Sequence, residues 1–168
     1  MSPDENWRQC YRELAPKLLL YARQWAHSQA DAEDIVQAAF VRFWKKHPGG
    51  GLEHRPLLYA AVRTIALDTL RGEERRAVRE NEPIAAVPKE GEPYFDLAIE
   101  RAELAVVVDG ALRQLPDDQR EVIVLKLWAD LTFQEIADTL GAPLNTVASR
   151  YRYALERLRE RMTAYERV

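Results

Sequence analysis

Hydrophobic residues recur at helical spacing along most of this chain, and no segment shows the alternation that is typical of strands. In the segment 30–47, apolar side chains fall at i, i+4, i+7 and i+8, namely Val36, Phe40, Phe43 and Trp44. This spacing places all four on one face of a helix. The pattern predicts an all-α protein in which this face, Trp44 included, belongs to the hydrophobic core.

The same segment has a second face that packing alone does not explain. It carries Asp34, Gln37, Ala38 and Val41. Because the apolar stripe already supplies the buried side, we expect this second face to be available to a partner. Asp31 precedes the stripe and is expected to cap the N-terminus of the helix.

Two segments rich in glycine and proline divide the helical pattern. His47–Pro56 contains the triplet Gly49–Gly51 and predicts a plain, mobile loop between two helices. Asn81–Pro93 has no sustained amphipathic period and predicts a flexible tether. We therefore expect two small helical domains, 1–78 and 96–168, joined by a linker at 79–95.

The helix that begins near Pro56 carries a basic face. Its apolar side is formed by Leu58, Val62, Ile65 and Thr69, and its other side by Thr64, Asp68, Arg71 and Arg75, followed by Arg76 and Arg79. The stretch 61–79 holds five arginines against three acids. A solvated face of i,i+3 and i,i+4 ion pairs is one interpretation, and nucleic-acid binding is the other.

A helix-turn-helix pattern lies near the C-terminal end of the sequence. Thr132 and Glu135 have the spacing of a capping box. Ala137, Gly141 and Val147 then supply a small residue at a helix crossing, a tight turn and an anchor for the second helix. The spacing predicts two short helices, which could be an unoccupied hairpin or a DNA reader.

The second helix of this pattern favours DNA. Its outward side chains are Asn145, Thr146, Ser149, Arg150, Arg152 and Tyr153. Residues 142–161 hold five arginines against two acids. Polar and basic groups near the start of a helix are what base edges and phosphates require, so the segment predicts a recognition helix.

Composition restricts the remaining possibilities. The chain of 168 residues has a net charge of −3, a single cysteine at position 10, and no apolar run near the roughly 20 residues that span a bilayer. Its start lacks the basic-then-apolar order of a signal peptide, so we expect a soluble cytoplasmic protein without membrane insertion. No metal-ligand spacing, phosphate-binding glycine loop or nucleophile–base pattern appears, and the sequence predicts neither a cofactor nor an enzyme.

Three motifs together resemble one protein family. ADAEDIVQAAFVRFWKKH (30–47) resembles region 2.2 of extracytoplasmic-function (group IV) sigma factors of bacterial RNA polymerase, and RPLLYAAVRTIALDTLRGEERR (55–76) resembles regions 2.3 and 2.4. ALRQLPDDQREVIVLKLWADLTFQEIADTLGAPLNTVASRYRYALERLRE (111–160) is similar to region 4. The resemblance implies a promoter-recognition factor whose partners are core RNA polymerase, promoter DNA and a separate anti-sigma factor.

The resemblance also implies residue roles. The positions matching the polymerase-docking surface are Asp34, Gln37 and Val41. The loop 47–56 matches the segment that captures a flipped base of the −10 element, and the positions along the −10 DNA are His54, Arg55, Arg63, Thr64, Arg71, Arg75 and Arg76. The −35 reader corresponds to Asn145, Thr146, Ser149, Arg150, Arg152 and Tyr153.

Net acidity agrees with this interpretation, because a sigma factor acts within a holoenzyme rather than alone on DNA. Two alternatives stay open. A dimeric helix-turn-helix regulator would use the second domain, although it would not need a polymerase-docking helix. A sigma look-alike that titrates an anti-sigma factor without starting transcription would have both domains.

Overall fold

The computed structural model describes residues 2–83 and 102–166, with side chains from 106 onward in the second range. Within these ranges the chain is helical and contains no strand, which confirms the predicted all-α class. In chain order the elements are α1 Pro3–Ala22, α2 Gln29–Lys46, a 3-10 turn at Leu52–His54, α3 Arg55–Glu80, α4 Ala102–Arg113, α5 Asp117–Leu127, α6 Phe133–Leu140 and α7 Leu144–Glu166. None of the helices in the described ranges is long and apolar enough to cross a membrane.

The chain separates into two compact units, Met1–Pro88 (unit 1) and Lys89–Val168 (unit 2). Helix α3 ends at Glu80, followed by Asn81 in the left-handed conformation, which terminates the helix. Most of the predicted tether Asn81–Pro93 lies outside the described residues, so its flexibility stays a prediction.

Unit 1 is a three-helix bundle in which α2 and α3 pack on each other and on α1. Its interior is formed by fully buried side chains from α1 and α3, among them Leu18, Tyr21, Leu58, Tyr59 and Val62. The Tyr21 and Tyr59 rings meet edge to face with centroids 5.4 Å apart, a favoured arrangement for aromatic pairs. Val36, Phe40 and Phe43 of α2 complete this core, as their spacing predicted.

Two expectations about α2 were wrong. The N-cap is Ser28, whose hydroxyl accepts a hydrogen bond from the Asp31 amide, so Asp31 lies in the first turn instead of capping it. Trp44 is 44% exposed although it continues the apolar stripe. Its contact with Trp7 of α1 is edge to face, at a centroid distance of 6.1 Å, and does not enclose the ring.

Unit 2 is built around α5 and α7, which pack against each other, while α4 and α6 also pack on α7. Four consecutive α5 residues, Val122 to Leu125, are buried, so this helix is enclosed on most sides. The predicted capping box is confirmed, since the Thr132 hydroxyl accepts from the Glu135 amide and the Glu135 carboxylate accepts from the Thr132 amide. Gly141 ends α6 at φ +62° and makes the tight turn into α7.

Candidate functional surfaces

The predicted partner face of α2 lies on the surface of unit 1. Asp34, Gln37 and Val41 are exposed, and Val41 keeps 52% of its surface in solvent. Buried residues such as Ile35 and Phe40 occupy the opposite side of the same helix. We call Asp34, Gln37 and Val41 the α2 face. It presents one carboxylate, one amide and one aliphatic group in a single stripe.

The predicted basic surface lies on the second half of α3. Arg71, Arg75 and Arg76 are exposed there, and Arg71 makes a solvent-exposed ion pair with Asp68 at 3.5 Å. Such exposed pairs contribute little and can open when a phosphate approaches. The structure thus brings these three arginines to one helix segment, whereas Arg63 and Thr64 lie nearer the packed half of α3, with Thr64 exposed.

The loop between α2 and α3 is more tightly packed than its glycines suggested. Gly50 and Gly51 are buried, and a Cβ on Gly50 would approach the Phe43 ring to 3.1 Å. A Cβ on Gly51 would lie 2.8 Å from a Glu53 carboxylate oxygen. These glycines therefore let the loop approach its neighbours closely.

Two histidines stack across this loop. The His47 and His54 rings have centroids 5.5 Å apart at 28°, and Phe43 lies beside both. His54 Nδ1 is 3.2 Å from a Glu53 oxygen, within ion-pair distance but not aligned as a hydrogen bond. His54 and Arg55 are both half-buried where the loop enters α3. Among the described residues, no three His, Cys, Asp or Glu side chains are grouped as metal ligands would be.

In unit 2, α7 presents the predicted recognition side chains. Val147 and Ala154 are buried and fix the helix against the rest of the unit. Of the six predicted DNA-contacting residues, three are exposed (Asn145, Arg152 and Tyr153) and three are half-buried (Thr146, Ser149 and Arg150).

The two arginines of this surface, Arg150 and Arg152, each contact another side chain of unit 2. Arg150 Nε lies 3.4 Å from Asp118 Oδ2, and the Arg152 guanidinium lies 5.1 Å from the centre of the Tyr153 ring. The sequence did not predict the part played by Asp118. It lies 32 residues before Arg150, in a different helix, and no local spacing links the two.

Comparisons with known proteins match these two units separately. The family model of Sigma-70 region 2 matches residues 10–76, and that of Sigma-70, region 4 matches residues 111–160. The first match contains the α2 face and the arginines of α3, and the second contains the helix-turn-helix.

Several curated proteins are similar over most of the chain. An RNA polymerase sigma-E factor of Streptomyces coelicolor is 31% identical over 147 residues, which cover 88% of this chain and 80% of the relative. The ECF RNA polymerase sigma factor SigL of Mycobacterium tuberculosis is 30% identical over 161 residues, with 90% and 86% covered.

A solved structure has the same fold. It is the sigma factor RpoE of Bartonella quintana in complex with the anti-sigma factor NepR, with a TM-score of 0.69 at 24% identity, covering 95% of this chain and 98% of that one. This likeness concerns the fold. The two matched regions and the curated relatives show that the chain belongs to the extracytoplasmic-function group of the sigma-70 family of RNA polymerase sigma factors.

Proposed function

We propose that this sigma factor docks on core RNA polymerase through the α2 face and directs the holoenzyme to promoters with −10 and −35 elements. The observation that carries the proposal is that each unit keeps its partner-facing side chains outside its own hydrophobic core. Asp34, Gln37 and Val41 are exposed in unit 1, and Asn145 and Arg152 are exposed in unit 2.

In unit 1, the second half of α3 contacts the −10 DNA. Exposed guanidinium groups at Arg71, Arg75 and Arg76 neutralise backbone phosphates, which gives affinity and register without reading bases. His54 and Arg55 belong to the loop 47–56, and Arg63 and Thr64 follow it on the first half of α3. A base leaving the stack would meet the half-buried imidazoles of His47 and His54 at this loop.

In unit 2, α7 enters the major groove at the −35 element. Its first turns carry Asn145 and Thr146, and the next turns carry Ser149, Arg150, Arg152 and Tyr153. An asparagine can make paired hydrogen bonds to adenine, and an arginine can do so to guanine. Arg152 and Tyr153 are exposed on the same helix and complete this surface.

The proposal gives the chain no catalytic step of its own, because RNA synthesis belongs to the polymerase it recruits. It places the protein in the cytoplasm, where that polymerase acts. The fold shared with a sigma factor solved together with its anti-sigma factor also supports control by a separate anti-sigma protein.

Run-off transcription tests the proposal. Core polymerase from the native host is combined with the purified chain on fragmented genomic DNA, and core polymerase alone is the control. We expect transcripts with common upstream elements only when the chain is present. Binding to core polymerase without any promoter-specific transcript would instead identify a look-alike that titrates an anti-sigma factor.

A further inference from the structure

The arginine-bearing half of α3 has little hydrophobic support. Helix α3 contains 26 residues, and its buried side chains are Leu58, Tyr59, Val62 and Ala66, all in the first half. Beyond Ala66 no described residue of the helix is buried, and Val78 is 73% exposed. Helix ends with few buried contacts open locally at low free energy. The arginines that meet the −10 DNA are therefore carried by the less secured part of the helix.

A polar contact between described residues ties this half of α3 to the bundle. His27 Nε2 lies 2.7 Å from Glu73 Oε2, and both side chains are partly shielded, with 23% and 36% exposed. His27 belongs to the turn between α1 and α2, which is 46 residues away in sequence. Glu73 is two residues from Arg71 and two from Arg75. The contact therefore holds α3 at the centre of its arginine segment.

We propose that the His27–Glu73 contact positions the arginine segment of α3 for promoter DNA, with Glu73 as a positioning residue. The inference rests on the proposed function, since it assigns a role within the −10 contact. Phosphate contacts fix the register of a protein on DNA only when its cationic side chains are held in place. If the helix end moves, the arginines occupy many positions relative to the phosphates. An imidazole N–H donates to a carboxylate whether the ring is neutral or charged, so the contact does not depend on His27 carrying a charge.

The opposite expectation makes the proposal testable. A carboxylate in a DNA-facing helix repels phosphate, so electrostatics alone predicts that removing any acid from this segment strengthens DNA binding. Glu73 and its exposed neighbour Glu74 carry the same charge on consecutive residues. Glu73→Ala and Glu74→Ala remove identical atoms, but only the first breaks the contact with His27.

The first measurement is open-complex formation by the holoenzyme on a promoter fragment recovered by run-off transcription. We expect Glu73→Ala and His27→Ala to lower it about fivefold with unchanged affinity for core polymerase, and Glu74→Ala to leave it unchanged or raise it. The exchanged pair His27→Glu with Glu73→His is expected to restore most of the loss. Equal effects of Glu73→Ala and Glu74→Ala would overturn the proposal.

The second measurement needs no promoter. Amide hydrogen exchange of residues 70–80 in the full chain should be faster in Glu73→Ala and His27→Ala than in the wild type or Glu74→Ala. Unchanged exchange would also overturn the proposal. A wild-type holoenzyme that gives no transcript would instead contradict the proposed function, and the exchange data would then decide by themselves whether the contact secures this half of α3.

Discussion

The carboxylate of Asp118 lies 3.4 Å from Nε of Arg150, and this contact joins the first turn of α5 to the side of α7 that we propose faces DNA. The two side chains are 53% and 31% exposed, so the pair is formed in solvent and contributes little to stability. The pair matters because Asp118 competes with DNA for the Arg150 guanidinium in the proposed complex. If Arg150 contacts DNA as proposed, its guanidinium must leave or share this carboxylate when it approaches a phosphate or a base.

Asp118→Asn is therefore expected to raise the affinity of the full chain for random-sequence duplex DNA about twofold at low salt. The gain should shrink as salt screens the phosphates. Fluorescence anisotropy over a salt series measures it. Asp117→Asn is the matched control, because Asp117 pairs with Arg120 at 2.6 Å instead of Arg150. An equal gain in both variants would show a general charge effect and no specific role for the Asp118–Arg150 pair.

Asp34→Arg should weaken binding to core polymerase about tenfold or more, because it reverses a charge on the α2 face. The melting temperature should stay unchanged, since Asp34 is exposed and outside the hydrophobic core. Glu13→Arg makes the same charge change on an exposed position of α1 and is the control. Titration of labelled core polymerase is the assay, and equal affinity of wild type and Asp34→Arg would show that this face does not dock.

Local signals predicted the helix-turn-helix well because each of its parts has a short-range cause. The capping box needs only Thr132 and Glu135, three residues apart, and the turn needs only a residue that accepts a positive φ at Gly141. Burial of Val147 fixes which face of α7 points inward, and helical periodicity then places the predicted DNA-contacting side chains on the other faces. All of these are set within one or two turns of chain.

The expected cap of α2 was misplaced by three residues along the chain, whereas the expected burial of Trp44 depended on tertiary contacts. Trp44 continues the apolar stripe of α2 but remains 44% exposed. Periodicity therefore predicted the helix face on which it lies and not the extent of its burial. The contacts of Glu73 with His27 and of Asp118 with Arg150 join different parts of each unit. No sequence period encodes such pairs, and only the packed helices bring them together.

Cys10 provides a pH test of unit 1. Burial, with added negative charge from Glu53 and Glu13, raises the pKa of the Cys10 thiol to about 11. A thiol in the unfolded chain titrates near about 8.5. Between these two pKa values the unfolded chain releases a proton that the folded chain keeps. The contribution of Cys10 to the free energy of unfolding is therefore fully present below this pH window and is lost as pH rises through it.

We therefore expect the urea midpoint of the wild type to fall more between pH 8 and pH 10 than that of Cys10→Ala. Other groups that titrate in this range contribute equally to both proteins. Iodoacetamide should also modify Cys10 slowly in the folded chain and rapidly in urea, because the thiolate is the reactive form. Parallel pH slopes in the two proteins would show that the thiol is not protected by the fold.

Two glycines of unit 2 give opposite predictions for the same substitution. Gly141 has φ +62° with open space around its Cα, so a methyl group there would cost backbone strain and not a clash. Gly141→Ala should destabilise unit 2 by about 1 kcal/mol. Gly110 lies inside α4 with equally open surroundings and an ordinary helical backbone. Gly110→Ala should stabilise it by about 0.5 kcal/mol or more.

Urea unfolding of the full chain, followed by far-UV circular dichroism, measures both changes. Gly141→Asn distinguishes backbone strain from a steric clash of the added side chain, because asparagine tolerates the left-handed conformation better than alanine does. We expect the order of stability Gly110→Ala, wild type, Gly141→Asn, Gly141→Ala. Destabilisation of Gly141→Asn as large as that of Gly141→Ala would mean that contact with a neighbouring group, and not backbone conformation, requires glycine at the turn into the recognition helix.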